Sequence, residues 1–121
     1  MKNSFLTAIC GLLLLTSCAH EFNLVYRSTD YNYKYEYAKE CFARGKYQRA
    51  ITLLNELIHI EKGTDNAQEC LFMLGMAEYC SKDYEGASEV FKKYCTSYPK
   101  GFYAETAAFY IGESLYRSTP E

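Results

Sequence analysis

Leu71-x-x-Leu74-Gly75, then Tyr79, then Asp83-Tyr84-x-x-Ala87, Phe91 and Tyr98-Pro99, is the most informative stretch of this 121-residue chain. Its small and aromatic residues recur. Ala38, Gly75 and Gly112 stand 37 residues apart, and the same interval maps Tyr47 onto Tyr84, Ala50 onto Ala87, Leu54 onto Phe91 and Leu57 onto Tyr94. A fixed period of about 20–50 residues marks stacked supersecondary units, each too small to bury its apolar face alone. The period favours an extended recognition scaffold over a compact enzyme. Tyr84 and Phe91 are seven apart, so they share one helix face and fill the space between two helices. Gly75 is expected where the first helix of the pair meets the second, its missing Cβ letting the two backbones approach, with Ala87 as the matching small residue. Pro99 stops the second helix, because it has no N–H with which to continue it.

As a set these positions resemble the tetratricopeptide pattern, two antiparallel helices per unit. The chain departs from that pattern in places. Lys82 stands where a turn glycine is usual, and Tyr94 where a small residue is usual. The first unit keeps Gly45 at its turn but has Lys62 in place of the closing proline. Each unit is also longer than the common form of about 34 residues.

The periodicity predicts five helices. Asp30 or Thr29 caps the first, over residues 31–44, and Gly45 ends it as a residue that can take positive φ. The second covers 47–60, with Ala50, Ile51, Leu54, Leu57 and Ile58 as its apolar stripe, and Glu61-Lys62-Gly63 breaks it. Thr64 or Asp65 caps the third, which runs to Ser81. The fourth covers 84–97, Lys100-Gly101 turns the chain, and the fifth covers 102–117. The third unit thus has a first helix without a second, so Phe109, Ile111, Leu115 and Tyr116 are expected to face an absent neighbour. The sequence reads as a fragment of a longer protein, with a covering partner as the alternative.

The N-terminus is a separate object. Lys2 precedes a largely apolar run from Phe5 to Leu15, and Leu15-Thr16-Ser17-Cys18 follows at once. An apolar core this short, behind a basic end, reads as a secretory signal and not as a span of ~30 Å of hydrocarbon. The cysteine at its end resembles a bacterial lipobox. That resemblance implies that Cys18 becomes the first residue of the mature chain and carries acyl chains such as palmitate. An ordinary signal peptide with Cys18 incidental is the alternative. Ala19, rather than Asp, favours the outer membrane, and the lack of an acidic run after Cys18 favours its periplasmic face. Ala19 to Thr29 has no clear period and is expected to be an extended tether. The expected fold is therefore all-α, a tetratricopeptide helical-hairpin solenoid of about two and a half repeats. Residues 1–17 form the signal peptide, 18–29 the lipid anchor and tether, and 30–121 the array, with repeats 31–67, 68–104 and an incomplete 105–121.

Composition narrows the function. Lys2 is the only charge lost with the signal, so the mature chain has 12 basic and 15 acidic side chains and no electrostatic case for nucleic acid. Of six cysteines, Cys10 leaves with the signal and Cys18 takes the lipid, while Cys41, Cys70, Cys80 and Cys95 remain. None forms C-x-x-C, and His20 and His59 show no ligand spacing, which argues against a metal site; no cofactor is implied either. Cys70 and Cys80 sit ~15 Å apart along one helix and cannot bond each other there. All four are expected to be small buried hydrophobes, with a cross-helix bridge open in an oxidising periplasm. Ser, His and carboxylate are scattered without an elbow motif, and no glycine loop cradles phosphate, so no enzyme is expected. Glu36 and Glu40 are four apart on one helix, but Lys39 lies beside them on a solvated face.

The candidate site follows from the register. Five residues into each unit stand Tyr35, Phe72 and Phe109; twelve residues in stand Phe42, Tyr79 and Tyr116. Lys39, Met76 and Glu113 lie between. Stacking would align them as two aromatic ladders, either a groove for an extended peptide or rings wedged between neighbouring helices. Burial distinguishes the two.

Lipid anchor, tether and helical array together resemble the family of the outer-membrane assembly lipoprotein BamD. The resemblance rests on the lipobox, on Ser28-Thr29-Asp30-Tyr31-x-Tyr33-Lys34-Tyr35-Glu36, on Lys62-Gly63-Thr64-Asp65, and on Tyr98-Pro99-x-Gly101. It covers essentially the whole chain but only the N-terminal half of that family's array. It implies a periplasmic scaffold of the machinery that inserts β-barrel proteins, binding a barrel-assembly subunit and unfolded outer-membrane protein peptides. The family's contact to the barrel subunit lies in repeats this sequence lacks. Tyr98-Pro99 through Gly112-Glu113 is also similar to soluble periplasmic adaptors that coordinate cell division, although a lipobox is unusual there. A glycan-binding helical-repeat lipoprotein is a third class, but its chains are far longer and rich in Trp, and this chain has none.

Overall fold

The computed structural model describes residues 2–120, with side chains outside residues 11–17. Among the described residues there are six helices and no strand: α1 (Lys2–Arg27), α2 (Tyr31–Ala43), α3 (Tyr47–Ile60), α4 (Asp65–Cys80), α5 (Tyr84–Ser97) and α6 (Ala104–Ser118). From α2 onward each helix packs on the next in chain order, an arrangement compatible with a helical-hairpin solenoid.

Local chemistry sets the helix ends. The Asp30 carboxylate accepts from the Tyr33 amide at 3.0 Å, and Asp83 does the same for Gly86 at 3.0 Å, so two helices start on side-chain caps. The ends of α2 and α4 are built alike. Gly45 N–H donates to Phe42 O and Lys46 N–H to Cys41 O; one interval later, Lys82 N–H donates to Tyr79 O and Asp83 N–H to Glu78 O. Both are Schellman closures, which need a left-handed residue after the cap. Gly45 supplies it at φ 75°, and Lys82 must adopt φ 69°. The helix hairpins therefore turn with one geometry despite the missing glycine.

Two apolar clusters fill the array. Tyr35, Ala38, Leu53, Leu54, Leu57 and Leu74 lie in the first, at the α2–α3–α4 junction, together with Val25 from α1. Leu71, Ala87, Phe91, Tyr94 and Ala107 form the second, at the α4–α5–α6 junction. Ile58 and Val90 pack against both, which makes the core continuous along the array.

Several expectations change. Ala19–Arg27 is helical rather than an extended tether. Val25 is buried and Phe22 packs on the first cluster, so this segment has apolar positions three apart that a helix can bury. Lys34, only 1% exposed, anchors it by donating to Tyr26 O at 2.9 Å and to Glu56 Oε2 at 2.8 Å. The lipobox residues Leu15, Thr16 and Ser17 lie outside the described side chains, and Cys18 is exposed on α1. The Thr64 hydroxyl does not cap α4; it turns back to Glu61 O at 2.7 Å. α2 stops at Ala43 and α4 at Cys80, with Arg44 and Ser81 as their caps. α6 begins at Ala104, two residues late, because Gly101–Tyr103 is held in a turn. That turn has a tertiary cause. The Gln68 carbonyl oxygen accepts from the Tyr94 hydroxyl and, at 2.7 Å, from the Phe102 amide, and the Tyr94 oxygen accepts from the Tyr103 amide at 3.1 Å. A Cβ on Gly101 would lie 2.5 Å from both oxygens, so glycine is what this polar knot admits.

Gly75 also differs in role. A Cβ there would meet the Phe91 ring at 2.7 Å, so the void receives a side chain and not the neighbouring backbone. Of the four cysteines, Cys41 and Cys70 are buried, Cys95 is half-buried and Cys80 is exposed, and all are free thiols. Burial pushes the Cys70 thiol up to about 12 and raises that of Cys41 too, so neither is poised to react.

Candidate functional site

The two aromatic ladders are not a continuous open groove. Tyr35 is 5% exposed, with Lys39 Nζ 4.5 Å above its ring. Its buried hydroxyl lacks a hydrogen bond of ordinary geometry, and burial, then the nearby Glu69 carboxylate, pushes its pKa well up. Phe42 is half-buried edge-on to Tyr47 at 5.6 Å. Phe72 is half-buried and stacks on Tyr103 at 4.3 Å and 6°, with Phe91 and Tyr94 beyond it at 5.8 and 5.9 Å. Tyr79 meets Tyr84 and Tyr110 edge-on at 5.4 and 4.9 Å, and its hydroxyl donates to Glu113 at 3.3 Å. Met76 packs against the second cluster. These five are packing residues. Their neighbours are largely residues of their own unit and of the helices packed next in the chain: Tyr47 covers Phe42, and Phe91, Tyr94 and Tyr103 cover Phe72.

The last members of the ladders lack such cover. Phe109 is 63% exposed and Tyr116 80% exposed, and Leu115 is exposed beside them. Between them lies Gly112, where an added Cβ would meet nothing within 4 Å. Phe109, Gly112 and Tyr116 stand three and four apart, so they form one stripe of α6. Ile111, expected on this stripe, is half-buried on the second cluster instead. The opposite face of α6, with Ala107 and Ser114 seven apart, is buried. Arg117 steadies the exposed stripe through Glu113 at 2.6 Å, and its guanidinium lies 5.7 and 5.9 Å from the Tyr79 and Tyr84 rings. The surface is thus a rigid aromatic strip on a helix whose other side is anchored in the core.

Sequence reasoning missed the supporting residues. Tyr103 and Tyr110 complete the aromatic cluster around Phe72 and Phe91, and their separation of seven was the available signal. Lys34 lies four before Ala38, on the buried face of α2, which marks it as a buried cation. Among the described residues no three His, Cys, Asp or Glu side chains come together as metal ligands. No helix is long and apolar enough to cross a membrane among those residues.

The described residues form an all-helical array of consecutively packed helices, with an exposed aromatic strip on α6. No protein-family model, curated protein or solved structure matches the chain.

Proposed function

We propose that this chain is a protein-binding scaffold, a tetratricopeptide-type array whose partner seats on the exposed strip of α6. The observation that carries the reading is the exposure of Phe109 and Tyr116 on one stripe of α6, whose opposite face is buried. Large aromatic anchors on a pre-ordered helix contribute contact area at small entropic cost.

The finer reading adds the N-terminus. Cys18 carries acyl chains after removal of residues 1–17, which holds the array at the periplasmic face of the outer membrane without a spanning helix. The lipobox and the tyrosine-rich start of α2 support membership of the BamD-like assembly lipoproteins. The partners are then a subunit of the β-barrel assembly machinery and unfolded barrel precursors.

The test is capture of an unfolded barrel peptide by wild type and by Phe109→Ala/Tyr116→Ala. Each anchor is worth about 1–2 kcal/mol, so the double variant should bind roughly a hundredfold more weakly with an unchanged helical circular-dichroism signal. Undiminished binding refutes the strip as the docking surface. A mature protein whose intact mass shows no acyl chains on Cys18 refutes the anchor.

A further inference from the structure

A second surface lies on the other side of the array. A hollow of about 480 Å³ opens between the C-terminal ends of α3 and α5, with α4 beneath and no residue of α6 on its wall. Ile58, Ala67 and Leu71 give it an apolar floor, and His59, Lys62 and Lys93 stand around it. No Asp or Glu lines it, although acidic side chains outnumber basic ones 15 to 13 in the chain. Lys62 and Lys93 are exposed and form no ion pair among the described residues, whereas adjacent Lys92 is held by Glu89 at 2.8 Å. The start of α4 carries Asp65 in its first turn and Glu61 just before it, so the positive rim rests on Lys62 and Lys93.

We propose that this hollow binds an acidic segment of an extended polypeptide, a carboxylate at the Lys62/Lys93 rim and its apolar neighbour on Ile58 and Leu71. Its volume lies within the range of about 300–1,000 Å³ typical of small-ligand sites. The cations favour a carboxylate, and the apolar floor favours a side chain beside it over a free ion. The hollow is open to solvent, so it cannot sheath an acyl chain. Lysines are point charges on flexible stems, suited to a carboxylate that approaches in more than one pose. The inference goes beyond the α6 strip, shares no residue with it and stands whether or not that strip takes a partner.

The test uses the full chain in mild detergent and a short fluorescent peptide alternating Glu with Leu, read by anisotropy. Controls are the same peptide with Gln for Glu, inorganic phosphate as competitor, and phosphatidylglycerol vesicles. Wild type should bind the Glu peptide, and Lys62→Glu/Lys93→Glu should weaken it by roughly tenfold or more, with the Gln peptide similarly weak. Lys92→Glu, outside the hollow, should leave binding unchanged. Binding that survives the double reversal, or that falls equally with Lys92→Glu, overturns the proposal. So does an absence of peptide binding, or displacement by phosphate or vesicles in preference to peptide. Circular dichroism of each variant separates a lost site from a lost fold, and a Leu71→Asn variant should weaken the peptide independently of charge.

Discussion

Identical substitutions at Gly75 and Gly112 should have opposite effects. The two glycines are one repeat interval apart on first helices of successive units. Replacing a mid-helix glycine with alanine gains about 1 kcal/mol of helix propensity at either position. At Gly112 nothing lies within 4 Å of the new Cβ, so the gain should appear undiminished. At Gly75 the Cβ would lie 2.7 Å from Phe91 Cε1 and 2.9 Å from Cδ1 and Cζ. The ring cannot simply retreat: it is fully buried, stacked on Tyr110 at 5.5 Å and flanked by Phe72 at 5.8 Å. Overpacking of this kind costs about 1–3 kcal/mol, so Gly75→Ala should be neutral to about 2 kcal/mol destabilising. Thermal unfolding followed by circular dichroism should separate the two variants, by roughly 4–8 °C for each kcal/mol between them. The first unit shows the compensation. Ala38 and Leu54 stand where the second unit has Gly75 and Phe91, and both are fully buried. Phe91→Leu should therefore rescue Gly75→Ala, with a favourable coupling of about 1–2 kcal/mol in a double-mutant cycle. A rise in Tm for Gly75→Ala equal to that of Gly112→Ala, or zero coupling with Phe91→Leu, would refute the ring-in-void account.

Three further outcomes are expected. Lys82 holds φ 69°, a conformation that costs an L-residue about 1–2 kcal/mol, against about 0.5–1 kcal/mol for glycine's greater loss of freedom; Lys82→Gly should raise stability to urea by about 0.5–1 kcal/mol. Glu78 has a buried, unpartnered carboxylate oxygen, and burial, then Asp83, raises its pKa from the ordinary 4.5 to about 7. The folded state thus holds this proton more tightly than the unfolded state, so its contribution is full below 4.5 and is lost as pH rises through about 7; Glu78→Gln should flatten urea midpoints across that window. Lys34→Met leaves Tyr26 O and Glu56 without their donor, and should cost about 1–3 kcal/mol and strip hydrogen-exchange protection first from the last turns of α1.

Much of the framework was legible in the residues because its causes are local. Asp30 caps the helix it precedes, Gly45 closes α2, and apolar spacing places α3 and α5 at their observed limits, whereas the Asp83 cap went unread. The 37-residue interval carries the stacking itself, since like residues recur wherever like contacts recur. What a side chain faces is a different matter, because that depends on residues remote in the chain. Periodicity placed Tyr35, Phe72 and Phe109 in one register, but side chains of the packed helices bury Tyr35 and half-bury Phe72, whereas Phe109 is exposed. Gly75 and Gly101 were visible as small residues, yet only the assembled helices put the Phe91 ring over one and the Gln68 and Tyr94 oxygens over the other. Likewise Ala19–Arg27 has too weak a pattern to announce a helix, and its order comes from Lys34 and the core it docks on.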